Sequence, residues 1–325
     1  MLRLNTKTTI LSIVILMFFI SHLLSTYVFA GGDTIRIGLS TRFYGPVLPT
    51  YVAESLKLYE KYGIKAEITA YKGGAAAMEA LAAGAADIIN YFPPGVALAY
   101  TRGVKSKIVA GGTSTPKGWW IMVGKDSPIK TPKDLAGKKI GCTSIGSTTY
   151  FFAKWAAHYG GVEAEYVPVG GGGLVPHLIK GSLDAITAFP ALSYKVQLAG
   201  QGRILIDLGK EMPENLPDVW VATQEIIDKN PELVRKSLQA LYAALKYLKD
   251  NPKYAVKYIK DFNNYDLNVA EMEYKNTIMG MLDDGIIKKE WLQNSLDLAK
   301  LAGTKEKLPP VEEIFTDKFV PIKLD

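Results

Sequence analysis

Two α/β lobes, each a doubly wound sheet and the pair joined by a hinge of two chain crossings, are predicted by three features of this sequence. Short apolar runs alternate with helical segments from Asp33 onward, a stretch of that alternation returns about a hundred residues later, and one Gly/Pro-containing passage lies between the copies while another follows the second. The 325 residues are 48% hydrophobic and 22% charged, enough apolar material for two cores and too much for a disordered chain.

The first 30 residues stand apart. Arg3 and Lys7 precede the apolar run Ile10 to Ile20, and Val28-Phe29-Ala30 ends in residues suited to a signal peptidase. This predicts a signal peptide over residues 1–30, cleaved after Ala30, and a mature chain exported to the periplasm. A retained anchor is the alternative, because Ile10 to Ala30 nearly spans a bilayer if its Ser, Thr and His are tolerated. Without that segment the net charge falls from +6 to +4, and the charges are interspersed, which argues against a nucleic-acid partner. Cys142 is the sole cysteine, so no internal disulfide forms, and one thiol with the two His of the mature chain makes no zinc site. No cofactor or metal is expected.

The first strand is Ile35 to Ser40, followed by the loop Thr41 to Pro46 and a helix to about Tyr62 that Gly63 terminates. A strand Ala66 to Tyr71, a Gly73-Gly74 turn, an Ala-rich helix to Ala83 and a strand Asp87 to Asn90 come next. That strand stops at Phe92-Pro93-Pro94, and a further helix and the strand Lys107 to Ala110 complete a βαβαβαβ run, which implies a parallel sheet. The order then returns. Gly63 to Thr69 matches Gly161 to Val167, Gly73-Gly74 matches Gly171-Gly172, and Gly84 to Pro93 aligns with Gly181 to Pro190 without a gap. Ile37-Gly38-Leu39 likewise matches Ile140-Gly141-Cys142.

One crossing runs through Gly111 to Gly118 before the strand Trp119 to Val123, and the other through Met212 to Pro217 before the strand Val219 to Thr223. The expected lobes are therefore 33–113 with 221–325, and 114–220. After Thr223 the chain reads as helices opened by Asn230-Pro231 and Asn251-Pro252, with Leu233, Leu238, Leu241, Ala244, Leu245 and Leu248 forming an apolar face.

Ligands of open α/β sheets sit beyond the carboxyl ends of the strands. Those ends offer Arg42, Phe43, Tyr44, Phe92 and Pro93 in one lobe, and Ser144, Gly146, Ser147, Thr148, His177 and Phe189 in the other, with Trp119 at the crossing. The hydroxyl-rich turn Thr143 to Thr149 opens a helix, whose free N–H groups and positive end suit an anionic or strongly polar group; an ordinary N-cap is the plain alternative. Arg42 either forks onto an anion or stays a solvated loop residue. His177 either meets ligand or lies on the surface. Gly170 to Gly173 lacks a following Gly-Lys-Ser/Thr and reads as a turn, not a nucleotide loop. Trp119 and Trp120 alternate sides, so at most one faces the cleft. Asp87 and Asp184 begin equivalent strands, away from the cleft, and read as structural caps.

Three stretches carry a family resemblance: Gly73-Gly74 with Ala80 to Asp87, Lys130 to Gly141 leading into Gly146 to Tyr150, and Asn230 to Val234. In these the chain, over residue 33 to about 260, resembles the NMT1/THI5-like solute-binding proteins of ABC importers, which include binders of sulfonates, nitrate and pyrimidine precursors. The resemblance implies the type II periplasmic-binding fold, hinge closure on a small organic ligand, presentation to a membrane permease, and ligand contacts at Ser144, Gly146, Ser147 and Thr148. It also marks a departure: the Cys-rich motif of the fungal pyrimidine-synthesising members is lacking. A monomeric binding protein without enzymatic activity is the expectation. The rivals are an exported enzyme of the same fold acting on a heterocyclic or ester substrate, for which His177 is the available acid/base group, and a sensor module.

Overall fold

Each lobe is organised on one five-stranded sheet, and the two sheets are copies of one plan. The computed structural model describes residues 33–301 and 303–324, so the expected signal segment and its cleavage site lie outside the described residues. The first sheet contains β1 (Thr34–Leu39), β2 (Lys65–Ala70), β3 (Ile88–Tyr91) and β4 (Ser106–Thr113). The second contains β5 (Trp120–Gly124), β6 (Lys139–Cys142), β7 (Glu165–Pro168), β8 (Ala185–Ala188) and β9 (Gly202–Asp207). The chain then returns, and β10 (Asp218–Thr223) enters the first sheet, giving the orders β2-β1-β3-β10-β4 and β7-β6-β8-β5-β9.

The expectation of purely parallel sheets is corrected at one strand in each. β10 runs antiparallel to β3 and β4, and β5 runs antiparallel to β8 and β9. Each of these strands arrives from the other lobe, so it enters its sheet from the hinge end and runs back against its neighbours. The return to the first sheet is complete by Asp218.

The repeat extends to individual hydrogen bonds. Asp87 takes the Arg36 N–H at 2.8 Å while its own N–H returns to the Arg36 carbonyl at 2.8 Å; Asp184 does the same with Lys139 at 2.8 and 3.0 Å. These carboxylates lock the amino ends of neighbouring strands, as the sequence suggested. The turn glycines are paired too, Gly84 with Gly181 at φ +72° and +70°, a left-handed conformation that other residues adopt only with strain.

Helical boundaries follow local chemistry. The helix after the first loop breaks into Leu48–Ser55 and Leu58–Lys61 at Lys57, whose φ is +54°. Asn230 caps Pro231–Asp250 by accepting the Leu233 N–H at 3.2 Å. Asn251 instead donates from Nδ2 to the Tyr247 carbonyl, so it closes the preceding helix rather than capping Pro252–Asn263. The leucine face of Pro231–Asp250 is buried and packs on Leu48–Ser55. Helix Lys289–Leu301 lies against both Pro93–Thr101 of the first lobe and Thr148–Tyr159 of the second. One apolar core passes through both lobes, with Tyr44, Phe92, Trp119, Phe151, Phe152 and Phe189 where they meet.

Candidate ligand-binding site

A cavity of about 30 Å³, the scale of one or two waters, lies between the lobes. The first lobe lines it with Ser40, Thr41 and Tyr44 after β1, Gly73 and Gly74 at a helix start, Asn90 and Tyr91 at the end of β3, and Asp218 at the start of β10. The second lobe supplies Trp119, Thr143, Ser147, Thr148, Thr149 and Phe189. Two helices, Gly74–Ala82 and Thr148–Tyr159, therefore begin at this cavity from opposite sides. Their first N–H groups lack intrahelical partners, and both positive dipole ends meet there, so the lining offers hydrogen-bond donors and positive potential without any Lys or Arg.

The hydroxyls of the turn are unequal. Ser147 Oγ donates to the Ser144 carbonyl at 2.7 Å and accepts the Tyr150 N–H at 3.3 Å, the geometry of an N-cap. Because its proton is spent, the 2.7 Å contact with Thr149 Oγ1 takes the proton of Thr149, which in turn takes that of Thr143 at 3.0 Å. Thr149 Oγ1 also accepts the Thr143 N–H at 2.8 Å. This chain fixes the turn and leaves Thr148, Ser40 and Thr41 as the hydroxyls better placed to serve a ligand; Thr148 Oγ1 has only a long contact, 3.5 Å, to the Pro217 carbonyl.

The opposite wall carries a carboxyl group. Asp218 is buried, and Oδ1 accepts from Thr113 Oγ1 at 2.7 Å and from the Tyr44 hydroxyl at 3.0 Å. Burial pushes its pKa up to about 6, with the two hydroxyls opposing the shift. Trp119, Tyr44 and Phe189 close the apolar side by packing edge to face, Tyr44 against Trp119 at 5.4 Å and against Phe189 at 6.1 Å.

Of the residues expected at the site, Tyr44, Trp119, Ser147, Thr148 and Phe189 line the cavity. The others lie elsewhere, each for a physical reason. Arg42 stacks on Phe262 at 4.8 Å and donates to the Phe262 carbonyl at 3.2 Å, so its charge serves a loop-to-helix contact. Phe43 is 38% exposed beneath the same guanidinium. Phe92 is fully buried between Phe151 and Phe152, with ring centroids 5.6 Å from each, and Pro93 occupies the first position of its helix. His177 is exposed and pairs through Nδ1 with Ser182 Oγ at 2.8 Å. Ser144 abuts Gly73 across the cleft, and the Gly146 carbonyl accepts from Tyr91 at 2.9 Å, outside the inner cavity. Of the neighbouring tryptophans, Trp119 faces the cleft and Trp120 packs on Tyr194 at 5.4 Å.

Sequence reasoning missed Asp218, Asn90, Tyr91, Ser40 and the Gly73-Gly74 helix start. Asn90 and Tyr91 were within reach, because they end a strand that the repeat had aligned. Asp218 was hidden by the parallel-sheet rule: in an antiparallel strand it is the amino end that points into the cleft.

A family model described as "NMT1/THI5 like" matches residues 46–255. A Brucella abortus protein named "putative binding protein" is 26% identical over 298 residues, spanning 88% of this chain and 91% of that one. The taurine-binding periplasmic protein of Escherichia coli is 24% identical over 219 residues, spanning 66% of this chain and 67% of that one. Among solved structures, the alkanesulfonate-binding protein SsuA from Xanthomonas axonopodis pv. citri bound to MOPS superposes with a TM-score of 0.76 at 17% identity, over 88% of this chain and 100% of that one. The desulfurization enzyme DSZB has the same fold, with a TM-score of 0.62 at 14% identity, over 88% of this chain and 97% of that one.

Proposed function

Because this chain belongs to the NMT1/THI5-like family, we propose that it is the periplasmic solute-binding component of an ABC importer, which closes on a compact solute bearing an anionic head and a separate hydrogen-bond-donating or cationic group. The observation that carries the reading is the polarity of the cavity. Two helix starts and free hydroxyls face it with no basic side chain, and Asp218 faces it from the first lobe. Donors without formal charge stabilise an anion; a lone buried carboxylate calls for a donor or a cation. A short aminosulfonate has both ends, and the taurine-binding relative supports this class. The edge-to-face packing of Tyr44, Trp119 and Phe189 already occupies their ring faces, which favours a compact aliphatic body over a stacked planar heterocycle.

A membrane permease is the implied partner, and the mature protein acts as a monomer in the periplasm after removal of residues 1–30. Turnover is not part of this reading. Burial pushes the Cys142 thiol up to about 12, too high for a thiolate nucleophile, and the thiol lies off the cavity; His177 is on the surface. Titration calorimetry of the mature protein with taurine, unsubstituted alkanesulfonates and aminopyrimidines tests the proposal. Taurine binding more tightly than ethanesulfonate is the expected result. Binding of none of them, or conversion of any of them on incubation, overturns it.

A further inference from the structure

We propose that Tyr91 is the latch of the cleft: its hydroxyl, donated across the lobes to the Gly146 carbonyl, shuts the inner cavity against an outer groove and sets how long a solute stays inside. This extends the solute-binding reading above. Its kinetic test rests on that reading and its ligand-free test does not.

Tyr91 lines two spaces at once. On one side is the cavity with Asp218; on the other is a groove of about 440 Å³, walled by Met78, Leu98 and Arg102 from the first lobe and by Ile145, Gly146 and Lys154 from the second. The ring is the partition between them. Its position is set by its own lobe, because it lies between two helix starts with no room to turn. A Cβ on Gly74 would stand 2.6 Å from ring carbons Cδ2 and Cε2, and a Cβ on Gly95 would stand 2.3 Å from Cε1 and Cζ. Larger residues at either position would displace the ring.

Only the hydroxyl crosses the cleft, and its 2.9 Å bond to Gly146 is of ordinary good length. The acceptor is fixed as well: Gly146 sits at φ +81° in the capped turn before helix Thr148–Tyr159. Two other polar approaches at this end of the cleft are weaker. Ser144 Oγ presses on Gly73 without a hydrogen-bond partner, and Thr148 Oγ1 lies 3.5 Å from the Pro217 carbonyl in the crossing. Burial raises the Tyr91 phenol far above its usual value, so it remains a donor throughout the physiological range.

Tyr91→Phe keeps the ring in its glycine clamp and deletes only the donor. With taurine as probe and Trp119 fluorescence as signal, stopped-flow displacement is expected to give dissociation about five-fold faster, with association within two-fold of wild type. Tyr100→Phe, which removes an exposed hydroxyl bonded to Glu313, is the control and leaves both rates unchanged. An unchanged dissociation rate in Tyr91→Phe, or an affinity loss carried by association, overturns the latch. If taurine fails to bind the wild type, the solute class falls, and the latch is read in ligand-free protein by amide hydrogen exchange. Faster exchange over 144–149 in Tyr91→Phe but not in Tyr100→Phe then supports it, and equal exchange overturns it.

Discussion

Among the described residues, Asp218 and Glu273 are buried carboxyl groups without a basic partner, and the protein is expected to respond to pH through both. Glu273 lies where helix Leu267–Asn276 of the first lobe meets helix Leu192–Leu198 of the second. Its Oε2 accepts from Thr277 Oγ1 at 3.1 Å, its Oε1 has no partner, and burial raises its pKa to about 8, against the Thr277 hydroxyl and the Ala191 N–H. A raised carboxyl holds its proton better in the folded chain than in the unfolded one, so its contribution is full below the ordinary value of 4.5 and is lost as pH rises through about 8. The melting temperature is therefore expected to fall from pH 5 to pH 9, and Glu273→Gln to melt a few degrees above wild type at pH 9 but not at pH 5. Burial pushes the Asp218 carboxyl up to about 6, so the cation-binding role proposed above is expected to appear as pH rises through that value. Calorimetry should show taurine affinity rising from pH 5 to 7 in wild type and staying flat in Asp218→Asn, which binds about ten-fold more weakly at pH 7. Residue roles were the least legible part of the sequence. Trp119, Tyr44 and Phe189 line the cavity, as aromatic residues at strand ends have few other places to go. Arg42 lies off the cavity because the ring that receives it, Phe262, is 220 positions away.

The turn Thr143 to Thr149 is an element whose two functions separate. Ser147 caps the helix and relays the hydroxyl chain, so Ser147→Ala is expected to cost about 1 kcal/mol, lowering the melting temperature by about 1–2 °C. Thr148, free of that chain, should tolerate Ala without loss of stability while taurine affinity drops several-fold. Calorimetry paired with thermal denaturation checks both; equal effects on stability would mean the hydroxyls are interchangeable. At this scale the sequence was largely readable. Repeated glycines marked the turns, and Asn230 marked a cap that forms. Asn251 deceived because an Asn side chain also satisfies a carbonyl of the helix behind it.

Across the whole molecule, small residues stand where the lobes touch, and the closure proposed above depends on them. A Cβ on Gly73 would lie 2.6 Å from Ser144 Oγ, and its φ of +159° strains any L side chain, so Gly73→Ala should both lower the melting temperature and oppose closure. Small-angle scattering would then give an unchanged radius of gyration on adding taurine, where the wild type contracts. The two-lobe plan was visible in the internal repeat; the antiparallel strand was not, because strand direction depends on where the chain returns from. That returning strand has a consequence for how the polypeptide acquires its shape. The sheet partner of β4 is β10, and Thr113 and Asp218, which bond across them, are 105 positions apart. The second sheet is assembled from residues between Trp120 and Asp207 alone. Distant pairing is slow to find, so the lobe synthesised first is expected to mature last. Pulse-labelled amide exchange during refolding should protect 120–207 before 106–113. Under the export proposed above, a leading lobe that waits for its last strand would stay loose during passage through a membrane pore.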